Sequence, residues 1–165
     1  MGTAAGVAAV SLLIHSVVGG LWGLLRPAYS GTLAEGGQVI IDAAAGSVEF
    51  ISFGSFVVAT GLLATLVSLS TYVLSPGTRG PAMLWWLMAV AALSAFSFLA
   101  VGTVTSGLLH DIGDPDLLSQ GDRVSMVPGL DPGVGWLVAP FLAALAYWCS
   151  ALVTPETDTP TLPIQ

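Results

Sequence analysis

The chain has 165 residues, 55% hydrophobic and only 8% charged, with a mean hydropathy of +0.88. A soluble domain carries about 25% charged residues to keep its surface wet, so the missing polar surface must face lipid. A net charge of −7 with three Lys plus Arg excludes neutralising a nucleic-acid backbone or docking electrostatically on anionic lipid, and the lone Cys149 excludes an internal disulfide or a two-thiol redox cycle.

A spanning helix needs about 20 apolar residues. The first such stretch runs from about Gly2 to Leu25, with His15 as its only titratable side chain. It lacks a basic flank and is too long for a signal-peptide core, so it is read as a retained span, with the native start expected upstream of Met1. Gly2-x-x-x-Gly6 and Gly19-x-x-x-Gly23 are small-residue rows that let helix backbones approach closely. His15 has two readings: a proton relay or ligand, as intramembrane ionisable groups suggest, or a neutral ring bonded to a neighbouring Ser or Thr. A relay needs a second titratable group at similar depth, and the other spans supply none, which favours packing.

The loop from Arg26 to Phe50 contains TLAEGGQVIID (Thr32 to Asp42), which reads as strand, Gly36-Gly37 turn, strand. The second span covers about Ile51 to Leu74. SPGTRGPA (Ser75 to Ala82) is a tight turn into the third span, about Met83 to Leu109, and predicts spans two and three as antiparallel neighbours. Thr60/Ala64/Ser68 and Ala91/Ala95 are further small-residue rows. None of the last three spans holds Asp, Glu, Lys, Arg or His, as expected when a charge at the centre of a spanning helix costs at least about 2.5–3.5 kcal/mol.

The second long loop, His110 to Gly133, opens on HDIGDPD. Its oxygen-rich side chains could hold a divalent cation, but the spacing is not that of a calcium loop and Pro115 interrupts it, so a solvated acidic loop is the favoured reading. Asp122 to Val127 (DRVSMV) is extended and, paired with the first loop's hairpin, gives a small β cap. The fourth span covers about Val134 to Val153. It carries the row Ala139/Ala143, and Pro140 is expected to bend it. Thr154 to Gln165 reads as a disordered tail. Trp22, Tyr29, Phe50, Phe53 and Trp136 mark one membrane boundary, and Tyr72, Trp85, Trp86, Tyr147 and Trp148 the other.

The fold class is therefore an all-α membrane protein, a four-helix bundle over residues 1–153 with a small β cap from the two long loops, which is extracytoplasmic in the orientation implied by the resemblance given below. No cysteine pair, embedded carboxylate, paired axial His, phosphate loop, nucleophile set or metal-ligand spacing is present, so no reaction, cofactor or metal site is expected.

GLWGLLRPAYSGTLAEGG (Gly20 to Gly37), VEFISFGSFVVATGLLATLVS (Val48 to Ser68), RGPAMLWWL (Arg79 to Leu87) and WLVAP (Trp136 to Pro140) together resemble a family of small four-span membrane proteins of actinobacteria known only as a domain of unknown function. The resemblance spans about residues 10–152. It implies a multi-pass protein of the plasma membrane with both long loops outside and both termini and the tight turn in the cytoplasm, and it transfers no functional residue. The chain lacks that family's basic N-terminal stretch and has only Arg79 in the turn. The preferred function is a non-enzymatic accessory or stabilising subunit of a larger envelope or respiratory membrane complex, its partners being other membrane proteins, or a second copy, and the bilayer. The alternatives are a small oligomeric transporter or channel, with His15 on the path, and a protein that binds lipid or a cell-wall precursor.

Overall fold

The computed structural model describes residues 2–33, 39–41, 45–109 and 123–154. The apolar stretches form α1 (Thr3–Leu25), α2 (Ala45–Leu74), α3 (Pro81–Leu109) and α4 (Val138–Val153), the last led in by a 3-10 turn over Gly133–Leu137. With that lead-in, all four are long and apolar enough to cross a membrane. Their outer faces are large and apolar: Leu13 is 66% exposed, Leu62 60% and Phe141 62%. This is the composition a lipid-facing surface needs.

The inner faces are small and polar. In α1 the buried residues are Ser11, His15, Gly19 and Gly23, one every four residues and so on one stripe. Lipid tails are as apolar as leucine, so packing and interhelical hydrogen bonds hold such helices together, and close approach matters more than hydrophobic burial. Gly19 meets the Phe98 backbone of α3 and Gly23 meets Gly102, so α1 and α3 run parallel at near contact. Hydroxyl pairs tie the same seam: Ser11 Oγ to Ser94 Oγ at 2.9 Å and Ser16 Oγ to Ser97 Oγ at 2.7 Å. The second parallel seam joins α2 to α4, where the Ser68 hydroxyl donates to the Ala143 carbonyl at 2.7 Å. Ala64, Ala91, Ala95, Ala139 and Ala143 form the contact between the two seams.

Expected as antiparallel neighbours, α2 and α3 in fact touch little. The close pairs are α1 with α3, α2 with α4, and α3 with α4. A short connection fixes only where α2 ends and α3 begins, whereas the small-residue seams fix which helices lie side by side. Tyr72 and Tyr147, expected at the interface, are buried together at 7% and 4% exposure with their rings 5.2 Å apart. The Tyr147 hydroxyl receives the Gly80 N–H and Arg79 donates to the Tyr72 carbonyl, which fastens the turn to the bundle. Trp85, Trp86 and Trp148 do face outward.

At the other end, β1 (Tyr29–Leu33), β2 (Val39–Ile41) and β3 (Arg123–Met126) pair as an antiparallel sheet in the order β2-β1-β3. Leu33 faces Val39 across one ladder, and Tyr29 faces Met126 across the other. β1 begins three residues before the expected Thr32, because Tyr29 and Ser30 pair with β3 and not with β2. The Gly36-Gly37 turn, the HDIGDPD acids and the tail beyond Thr154 lie outside the described residues.

Two further expectations are corrected. α2 starts at Ala45, ahead of the expected Ile51, so Glu49 stands in its opening turns. Pro140, expected to remove a backbone hydrogen bond and bend the fourth span near its long-loop end, does lie at that end but removes no intrahelical bond there. It occupies the third residue of α4, where a backbone N–H has no intrahelical acceptor and proline costs little. The chain enters this region through Gly133, at φ +48 in the left-handed region glycine favours, and the Gly133 N–H donates to Asp131 Oδ1 at 3.2 Å.

Candidate functional site

Three features were singled out in the sequence: His15, Gly19 and Gly23. All three sit on the buried stripe of α1. Gly19 and Gly23 serve the α1–α3 seam and are closed to any outside partner. A Cβ on Gly19 would lie 2.7 Å from the Phe98 Cα, and one on Gly102 would lie 2.7 Å from the Trp22 ring.

His15 is fully buried. Its Nδ1 lies 2.8 Å from the Ser11 carbonyl oxygen. A carbonyl only accepts, so Nδ1 carries the proton and Nε2 presents a lone pair. That Nε2 is buried near the Thr60 backbone of α2 at a geometry that closes no hydrogen bond. The Thr60 hydroxyl is already committed to the Phe56 carbonyl at 2.8 Å. The partner is a neighbouring serine, reached through its backbone carbonyl and not its hydroxyl. The buried hydroxyls of Ser68 and Thr71 likewise donate to main-chain carbonyls, that of Ser68 across to Ala143 of α4 and that of Thr71 to Val67 one turn back in its own helix.

A ring held only by its own helix predicts tolerance. His15→Leu removes an unsatisfied buried acceptor, while the Ser11 carbonyl keeps its helical N–H partner. Its unfolding midpoint in mild detergent should match that of the parent or exceed it, by at most about 1 kcal/mol, and His15→Gln should retain partner-dependent function. Loss of that function in a normally folded His15→Gln protein would restore the relay reading.

Above His15 four rings from different segments meet: Trp22, Phe56, Phe98 and Trp136. Phe56 stands at the centre, 5.9 Å from Phe98 and 5.8 Å from Trp136, edge to face in both cases. Trp22 donates to Ser55 Oγ at 2.8 Å. Trp22 and Trp136 were expected in an interfacial girdle, and only their packing turns them inward.

In the sequence Arg26 stands only as the first residue of the first long loop. It is 4% exposed. The guanidinium lies 5.2 Å from the Trp22 ring centroid, and its nitrogens donate to Ser52 Oγ and to the Pro128 carbonyl. Desolvation by burial lowers its pKa, but arginine stays charged. The Arg-Pro pair at the end of an apolar run was the available signal, since an arginine there snorkels or is held.

One surface remains open. α1 and α2 make few contacts, and a groove of about 430 Å³ lies between them at the turn end. Val10 and Ile14 on α1 and Leu66, Ser70 and Leu74 on α2 form its walls. Gly6 lies in it, and no atom approaches the place its Cβ would occupy. Gly2-x-x-x-Gly6 is the small-residue row that the bundle leaves unused. A second groove, about 680 Å³, runs along α2 and α4 and includes exposed Cys149. No protein-family model matches the chain, and neither a curated protein nor a solved structure does.

Proposed function

We propose that this integral membrane protein, of the actinobacterial four-span family it resembles, is a non-enzymatic accessory subunit of a larger envelope or respiratory membrane complex. One observation carries the reading: the α1–α2 groove with Gly6 at its base. A lipid chain has no need of a glycine, but a partner helix does, because only a small residue lets two helix backbones come close. The other rows close on one another inside the bundle, which leaves this one for a neighbour. The sheet serves as an outer cap that ties the α1–α2 and α3–α4 hairpins together, and the long loops face outward.

The test is a photo-crosslinking amino acid at Val10 or Leu66 in the groove, compared with one at Phe96 on the far lipid face. A covalent adduct with another membrane protein from the groove positions, lost on Gly6→Leu, supports the reading. Adducts with lipid alone, or with a second copy alone, overturn it. For orientation, in a Cys149→Ser background a cysteine at Gly129 should react with an impermeant thiol reagent on intact cells and one at Thr78 only after lysis. The reverse pattern inverts the topology.

A further inference from the structure

Between the end of α1, the start of α2 and the chain after β3 lies a pocket of about 420 Å³, separate from the groove and independent of the subunit reading. Arg26, Glu49, Phe50, Phe53, Leu130 and Asp131 line it. Among the described residues, the partners Arg26 reaches are a hydroxyl, a carbonyl and an aromatic ring, none of them anionic. A nearly buried cation is costly to desolvate, and an anion brought to it is strongly favoured. The guanidinium has five N–H groups, and two bonds leave donors for that anion.

Two carboxylates line the same pocket without pairing to the arginine. Glu49 accepts from the Tyr29 hydroxyl, which, after desolvation, helps to hold that phenol above its usual pKa. Asp131 uses one oxygen on the Gly133 N–H. Both keep acceptor capacity. The space between this arginine and the two carboxylates fits a group that is anionic at one end and a primary ammonium at the other. The third wall is apolar and continuous with the lipid-facing surface, since Phe50 is 75% exposed.

The geometry points to a binding site for the phosphoethanolamine headgroup of a membrane lipid: the phosphodiester on Arg26, the ammonium between Glu49 and Asp131, and an acyl chain leaving over Phe50. A choline headgroup has the same charges but no N–H to give the carboxylates. A glycerol headgroup brings the phosphate without the cation.

Native mass spectrometry of the full chain in detergent, with equal phosphatidylethanolamine, phosphatidylcholine and phosphatidylglycerol, tests this. Phosphatidylethanolamine should be retained about tenfold over the other two, one decade corresponding to about 1.4 kcal/mol. Glu49→Gln with Asp131→Asn keeps both neutral acceptor contacts and should leave the lipid-free melting temperature unchanged while bringing the three lipids to parity. Equal retention by the parent protein, or an undiminished preference in that variant, overturns the site. Displacement by glycerophosphoethanolamine as effective as by the whole lipid overturns the lipid assignment in favour of a soluble zwitterion.

Discussion

Replacing Gly19 and Gly23 together by alanine should separate α1 from α3 and cost more than any other conservative change in the chain. The added methyl groups would collide with the Phe98 and Gly102 backbones, not with side-chain ends that can swing away. The helices must move apart, which also stretches the Ser11–Ser94 and Ser16–Ser97 hydroxyl pairs. Overpacking at one site costs about 1–3 kcal/mol, so two adjacent sites on one seam should lose about 3–5 kcal/mol, read as a lower midpoint in a denaturing-detergent titration. Gly6→Ala is the internal control. No atom lies within 4 Å of its built Cβ, and alanine is the better helix former by about 1 kcal/mol, so that variant should be as stable as the parent or more so. Equal losses from both changes would mean that the α1–α3 seam is not closely packed.

Phe56→Ala should be the second most damaging substitution. The ring is completely buried and contacts Trp22, Phe98 and Trp136 from three other segments. Phe→Ala in soluble cores costs about 3–5 kcal/mol. Here the unfolded helix stays in an apolar solvent, so the transfer contribution falls away and the lost contacts remain, for about 2–3 kcal/mol. Phe50→Ala should change stability by less than about 0.5 kcal/mol, as expected of a site away from the packed interior, because Phe50 is 75% exposed. A Phe56→Ala protein with parental stability would show that the four rings are not a packing centre.

The spans were legible because charge is excluded from hydrocarbon, a rule that acts on each residue regardless of its neighbours. Their arrangement was not. Rows such as Thr60/Ala64/Ser68 and Ala139/Ala143 announce close approach without naming the partner, and the short Ser75–Gly80 connection suggested an α2–α3 pairing that the seams override. Aromatic position proved ambiguous for a related reason. Tyr72 and Trp85 both lie near the turn, yet Tyr72 is 7% exposed and Trp85 66%, a difference set by which side of the helix each occupies. His15 and the two seam glycines were visible as a stripe of one residue in four. The Arg26 pocket was not, since it joins the end of α1, the start of α2 and the chain after β3, which are far apart in sequence.

Helix order is the claim on which the groove and both seams depend, and paired cysteines in native membranes test it most directly. In a Cys149→Ser background, Ser16→Cys with Ser97→Cys should form a disulfide on mild oxidation, because the two hydroxyl oxygens are 2.7 Å apart. Val10→Cys with Leu66→Cys, on opposite walls of the open groove, should stay reduced. A disulfide across Val10 and Leu66, with none across Ser16 and Ser97, would contradict the arrangement and close the proposed docking groove.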